Sequence, residues 1–211
     1  LSSPKSAKIA AMGHSKADKA DSHERIVKVA AARFRERGVD GIGVADLMKE
    51  AGLSHGGFYR HFDSREALVA EAVERALREG AQVAEMLGNR QDSPLPALID
   101  GYLSAVHRDA LATSCAVTTL AGDVARSSER ARAAYTRQVG LYLDLLTRLI
   151  AGDKVKARRA RAIVALATFV GAVSMARAVN DAKLSDEILK TAAAELKAAL
   201  VPRVASVKPG G

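Results

Sequence analysis

The chain is short of cysteine, proline and aromatic residues, and each shortage narrows what it can be. One thiol, Cys115, in 211 residues excludes an internal disulfide and any cysteine-based metal framework, and it fits a reducing compartment. No metal-ligand spacing, no glycine-rich nucleotide loop behind a strand and no Ser/His/Asp constellation with a supporting motif is present. No metal, no cofactor and no enzymatic turnover are therefore expected. Aromatics make up 4% of the chain, and no segment shows the apolar-polar alternation of a strand. No apolar run reaches the roughly 18 residues that span a bilayer; the longest, 160–179, is interrupted by Arg161 and Arg177. The N-terminus lacks a signal-peptide apolar core. A cytoplasmic protein without a membrane span is expected. The chain does not begin with Met, and Met12 is the expected native start.

What is abundant points to helices. Hydrophobic residues are 48%, enough for a globular core, and Ala, Leu, Glu, Lys and Arg, all good helix formers, dominate. The expected fold is all-α with about nine helices. The formal charge is +8, which suits a polyanionic partner. Residues 1–65 hold twelve Lys and Arg against eight Asp and Glu, together with four of the five histidines, His14, His23, His55 and His61. A nucleic-acid face is therefore expected toward the N-terminus.

Start and stop signals divide the chain. Residues 1–21 are small, polar and basic and read as a flexible arm. Residues 22–68 hold three short helices. The first, 22–37, carries the stripe Ile26, Ala30, Phe34 and ends at Gly38; the second, 44–51, is followed by a turn at Gly52. The third is capped by Ser54 and anchored by Phe58 and Phe62. A long connecting helix, about 64–87, opens on a capping box of Asp63 and Glu66. Residues 88–203 form a second helical unit with helices near 95–111, 116–125, 128–150, 155–179 and 186–201, the last capped by Ser185; 204–211 read as a disordered tail.

The most informative stretch is Ala51 to Phe62 (AGLSHGGFYRHF). Gly56 and Gly57 sit in the first turn of a helix, where each costs about 1 kcal/mol against Ala. Such a violation marks a site that needs it, here a bare helix end able to approach something closely. Ser54, His55, Tyr59, Arg60 and His61 surround it, and all can hydrogen-bond phosphates or base edges. The segment reads as the recognition helix of a DNA-binding helix-turn-helix. Plainer readings stand beside it: Tyr59 as packing, His61 as a structural histidine, Arg60 and Arg65 as solvated charges, the glycines as an aid to helix closeness.

Residues Gly38 to Leu68 (GVDGIGVADLMKEAGLSHGGFYRHFDSREAL) resemble the DNA-binding domain of the tetracycline-repressor-like (TetR/AcrR) family of bacterial transcription regulators, with the likeness running from about Ser22 to Leu77. The resemblance implies a two-fold homodimer on palindromic, double-stranded operator DNA and a variable helical domain for a small-molecule effector. It implies DNA contacts at Gly43, Val44, Ser54, His55, Gly56, Tyr59, Arg60, His61 and Arg65. One departure is Ile42-Gly43, where the family often has a Thr or Ser capping the second helix, so that hydroxyl contact is not expected here. A repressor released by its effector is the leading expectation.

In the second half, small residues on 155–179 and 186–201 suit a close-packed seam between two copies. Met86, Tyr102, His107, Tyr135, Tyr142 and Phe169 are candidates to line a pocket. Cys115 starts a predicted helix whose dipole could activate it, which leaves thiol-based redox or electrophile sensing as an alternative. A helical adaptor without DNA binding is the other competitor.

Overall fold

The computed structural model describes residues 4–88, 94–152 and 154–201, with side chains from Lys16 onward except at 83–85, 87, 88 and 94. Among these residues there are ten α-helices, three 3-10 segments and no strand. The helices are α1 (Pro4–Arg37), α2 (Val44–Glu50), α3 (Arg65–Gly88), α4 (Pro94–Tyr102), α5 (Ala105–Asp109), α6 (Ala116–Thr119), α7 (Ala121–Ala125), α8 (Glu129–Leu149), α9 (Val155–Ala178) and α10 (Ala182–Leu200).

The first helix starts at Pro4 and not at Ser22, so most of the stretch read as a flexible arm is helical. Proline is pre-organised for a first helical turn, and the Ala and Lys residues behind it propagate one. Gly38 ends α1 in the left-handed region at φ 75°, its N–H bonding to Phe34 O at 2.9 Å. Gly52 makes the turn after α2 in the same way at φ 74°. Ile26, Ala30 and Phe34 of α1, Leu47 and Met48 of α2, Phe58 and Phe62, and Leu68, Ala72 and Val73 of α3 are all buried together. This one apolar knot holds the N-terminal unit; emptying a Phe position in such a core costs about 3–5 kcal/mol.

Several caps differ from the sequence reading. Ser54 makes no side-chain cap. At the start of α3 the capping hydroxyl is Ser64, which accepts from Ala67 N at 3.2 Å, one residue beyond the expected Asp63. Asp181, not Ser185, caps α10, accepting from Lys183 N and Leu184 N; Ser185 is buried and donates to Ala176 O at 2.6 Å. The helix expected over 95–111 breaks where Ser104 caps a new turn, accepting from His107 N at 3.1 Å and donating to Gly101 O at 2.8 Å. The helix expected over 116–125 kinks at the fully buried Leu120. These two breaks account for helices beyond the expected nine. The predicted tail, 204–211, and the loop at 89–93 lie outside the described residues.

In the second unit α3 packs on α8, α8 on α9, and α9 on α10. Against expectation, α9 is by length and composition apolar enough to cross a bilayer. Here it is a core helix on one side, burying Ala162, Ala165, Leu166, Phe169, Ala172, Val173 and Ala176. Its other side leaves Ile163, Val164 and Met175 at 50%, 63% and 54% exposed. Two units are tied by contacts to α8 and α7: Glu74 of α3 accepts two bonds from Arg130 of α8, both 2.9 Å, and Asp123 of α7 accepts from Val39 N at 3.4 Å.

Candidate nucleic-acid interface and internal cavity

Residues His55–Arg60 form a 3-10 helix and not the α-helix expected. Adjacent glycines weaken any helix, and this one closes with i→i+3 bonds, Gly57 N to Ser54 O at 3.0 Å and His61 N to Phe58 O at 2.9 Å. Phe58 and Phe62 point into the core at 2% and 3% exposure and stack on each other at 5.5 Å. Ser54, His55, Gly56, Tyr59 and Arg60 are all exposed, and Tyr59 stands out at 76%. A Cβ added at Gly43 or Gly56 would meet nothing within 4 Å. A protruding aromatic hydroxyl, a guanidinium, an imidazole and a bare backbone position at Gly56 thus all reach solvent from one short segment anchored by an apolar base, the combination that groove docking requires. Val44 is half-buried against the core at the start of α2.

His61 and Arg65 are less free than the sequence suggests. His61 is half-buried, with its Nδ1 buried and unpaired. Desolvation first, then the charges of His23, Lys19 and Arg60, hold its pKa below the usual histidine value. Arg65 donates to Val39 O at 2.5 Å and to Asp40 at 3.3 Å, so it bridges the 38–43 loop to α3. His23, missed as a site residue, stacks on Phe62 at 4.5 Å and pairs with Glu71 at 2.7 Å. Lys19 stands near His61 as well, a placement outside the helix expected from residue 22.

A cavity of about 450 Å³ lies between α3, α4, α8 and α9. Met86, Tyr102, His107, Cys115, Tyr142 and Phe169 all reach its wall; Tyr135 does not, and its hydroxyl donates to Val117 O at 2.8 Å. Tyr102 stacks on Phe169 at 4.7 Å and meets His107 edge-on at 4.5 Å. Its hydroxyl pairs with Thr118 at 2.6 Å, and burial pushes its pKa well up. His107 Nδ1 donates to Tyr102 O at 2.7 Å, leaving Nε2 to accept from Cys115 N at 3.2 Å and Ser114 Oγ at 3.0 Å. Burial lowers the His107 pKa against the pull of that carbonyl; the ring is neutral with a fixed tautomer. Cys115 does precede a helix, but α6 has only four residues, and the thiol faces Tyr142 OH at 3.7 Å. Gly80 makes that tyrosine's position possible, since a Cβ there would stand 2.5 Å from the Tyr142 hydroxyl.

Sequence reasoning missed the charged end of the cavity. Arg35 is 7% exposed and donates to Ala112 O at 2.6 Å and to Glu79 at 2.8 Å, with Ala76 O at 3.4 Å. Burial raises the Glu79 pKa, but Arg35 and Arg75 together bring it below its ordinary value. Arg35 belongs to no motif; it continues the i, i+4 row of Val27 and Ala31, both buried on α1.

Residues 26–72 match the family model described as bacterial regulatory proteins, tetR family. Two Bacillus subtilis (strain 168) proteins named HTH-type transcriptional regulators, YdgC and YerO, are 38% and 37% identical over 53 and 54 residues. Those stretches cover 25% and 26% of this chain and only 27% and 19% of the relatives. Among solved structures, E. coli NemR in its reduced form superposes with a TM-score of 0.72 at 23% identity, over 87% of this chain and 100% of that one. A TetR transcriptional regulator from Chloroflexus aurantiacus gives 0.70 at 23% identity, over 85% and 96%. These likenesses extend the shared fold beyond the matched segment.

Proposed function

We propose that the protein, whose residues 26–72 match the family model of the tetR family of bacterial regulatory proteins, is a homodimeric DNA-binding transcription regulator, a repressor released from a palindromic operator by a small molecule. The observation that carries the DNA-binding part is the exposed face of Ser54, His55, Gly56, Tyr59 and Arg60 over the buried Phe58 and Phe62. Phosphate neutralisation supplies most of the affinity and base contacts the specificity. Selection of bound sequences from random duplex DNA tests it, and a palindrome with two half-sites one helical turn or a multiple apart is the expected result. Tyr59→Ala is expected to weaken binding to selected and unrelated sequences alike by about tenfold, consistent with loss of one phosphate contact worth roughly 1–1.5 kcal/mol. Unchanged affinity in a titration at fixed salt rejects the assignment of this face.

Support for the dimer comes from α9 and α10. Ala160, Ile163, Val164, Ala167, Met175 and Ala178 recur at helical spacing on the exposed side of α9, next to Leu184 at 42% and Ala194 and Ala198 on α10. An apolar stripe of small and branched residues is what an isologous helix seam needs. Val164→Lys is expected to convert the dimer to monomer at micromolar concentration without altering helical content. Sedimentation combined with circular dichroism checks it; a dimer that persists would place the seam elsewhere. The effector reading rests on the 450 Å³ cavity, which is within the usual size for small-molecule sites.

A further inference from the structure

The cavity wall combines two properties that together define its occupant. The first is its apolar character. Tyr102, Tyr142, Phe169, Leu98, Leu146 and Leu166 supply rings and branched carbons, and aromatic rings prefer aromatic partners in offset or edge-on contact. The second is that the two charged residues among the described residues at the wall, Arg35 and Glu79, are paired with each other. Arg35 places one donor on Glu79 and one on each of two backbone carbonyls. Glu79 is held by Arg35 and Arg75, and Arg75 also reaches Glu24. Nearby Arg177 donates to Arg108 O and His107 O, both at 2.8 Å, and to Ser114 Oγ at 2.6 Å. His107 uses both nitrogens internally, and the Tyr102 hydroxyl is taken by Thr118.

Among the described residues lining this space, a carboxylate or phosphate would meet only the Arg35 guanidinium, already paired with Glu79, and an ammonium only the Glu79 carboxylate, already paired with Arg35 and Arg75. Either would have to break an internal pair or lie desolvated without a partner, and an unpaired buried charge is strongly disfavoured. We infer that the cavity takes an uncharged, predominantly apolar aromatic molecule, and that it discriminates against anionic and cationic analogues of the same shape. This deepens the effector reading given above and rests on it for its regulatory meaning, though occupancy itself can be tested without DNA.

The test is calorimetric titration of the full chain with three probes of one shape: 2-naphthol, 2-naphthoate and 2-naphthylmethylammonium. The neutral probe is expected to bind at least tenfold more tightly than either ion. Phe169→Ala is expected to weaken it further. Because that variant empties a buried position, Met86→Arg is the companion: Met86 is 64% exposed at the rim, so the fold is retained, and the added cation should improve naphthoate binding several-fold. Equal or tighter binding of an ion by the unaltered chain overturns the inference. So does failure of all three probes to bind, or naphthoate binding untouched by Met86→Arg. Tight, selective binding of naphthol that leaves affinity for the selected DNA unchanged would instead count against the effector reading while the occupant class stands.

Discussion

Gly56→Glu is expected to reduce affinity for duplex DNA by about a hundredfold or more at physiological salt while leaving the melting temperature within about 1 °C. The two halves of that expectation come from different facts. A side chain at Gly56 meets nothing within 4 Å, and its backbone has no positive φ, so neither a clash nor backbone strain opposes the substitution. The carboxylate would stand on the same exposed face as Tyr59 and Arg60, where a phosphate backbone would lie. Juxtaposed like charges at an interface cost several kcal/mol, and every 1.4 kcal/mol is tenfold in affinity. Gly56→Ala is the control for bulk without charge. Binding by fluorescence anisotropy and melting by circular dichroism read the two effects separately. Retained affinity in the glutamate variant would place the DNA on another surface.

Arg35→Met is expected to lower the melting temperature by about 10 °C. Methionine keeps most of the aliphatic length, so the packing of the stem survives. What is lost is the guanidinium, and with it the partner of Ala112 O, of Ala76 O and of one oxygen of Glu79. Breaking a buried ion pair from one side costs about 3–5 kcal/mol. Glu79 keeps Arg75 and is itself 36% exposed, which places the cost at the lower end. At this chain length each kcal/mol shifts the midpoint by roughly 2–4 °C. A midpoint unchanged to within 2 °C would mean that water replaces the guanidinium at no cost. Arg35→Met, Glu79→Leu in one chain removes both charges, and its midpoint is expected to recover part of the loss.

The N-terminal unit was legible because its signals are local and mutually consistent. The stripe of Ile26, Ala30 and Phe34, the left-handed glycines at 38 and 52, and the Phe58–Phe62 pair each reflect a period or a turn that the backbone must obey. The failures have physical causes as well. Adjacent Gly56 and Gly57 were read as an α-helix with a Ser54 cap, but without side chains to favour the wider turn the segment closes as a 3-10 helix. Ser185 carries the residue type of a cap, yet a neighbouring Asp181 holds the better position and Ser185 is drawn inward by Ala176 O. The breaks at Ser104 and Leu120 lie beside weak helix formers, Gly101 and Ser104 at one and Thr118, Thr119 and Gly122 at the other, but composition alone does not say that a helix stops there. In the cavity, aromatic residue types announced themselves. Arg35 did not, because an arginine on an amphipathic helix gives no sign in sequence that its far end has been captured by carbonyls 41 and 77 residues away.

The unbroken course of α1 makes it a lever. Arg35 fixes its C-terminal end at the cavity, while Lys19 and His23 stand at the polar face of the N-terminal unit. At 1.5 Å per residue the span from Arg35 to Lys19 is about 24 Å, so a tilt of about 5° pivoting on Arg35 swings the far end by about 2 Å. In the proposed dimer, two copies swinging oppositely would change their separation by about 4 Å, more than the roughly 3.4 Å between successive base pairs. In the proposed regulator the same rod would couple in reverse: clamping the far end onto a polyanion would change the affinity of the space beside Arg35 for its occupant by the same factor as the occupant changes affinity for the polyanion.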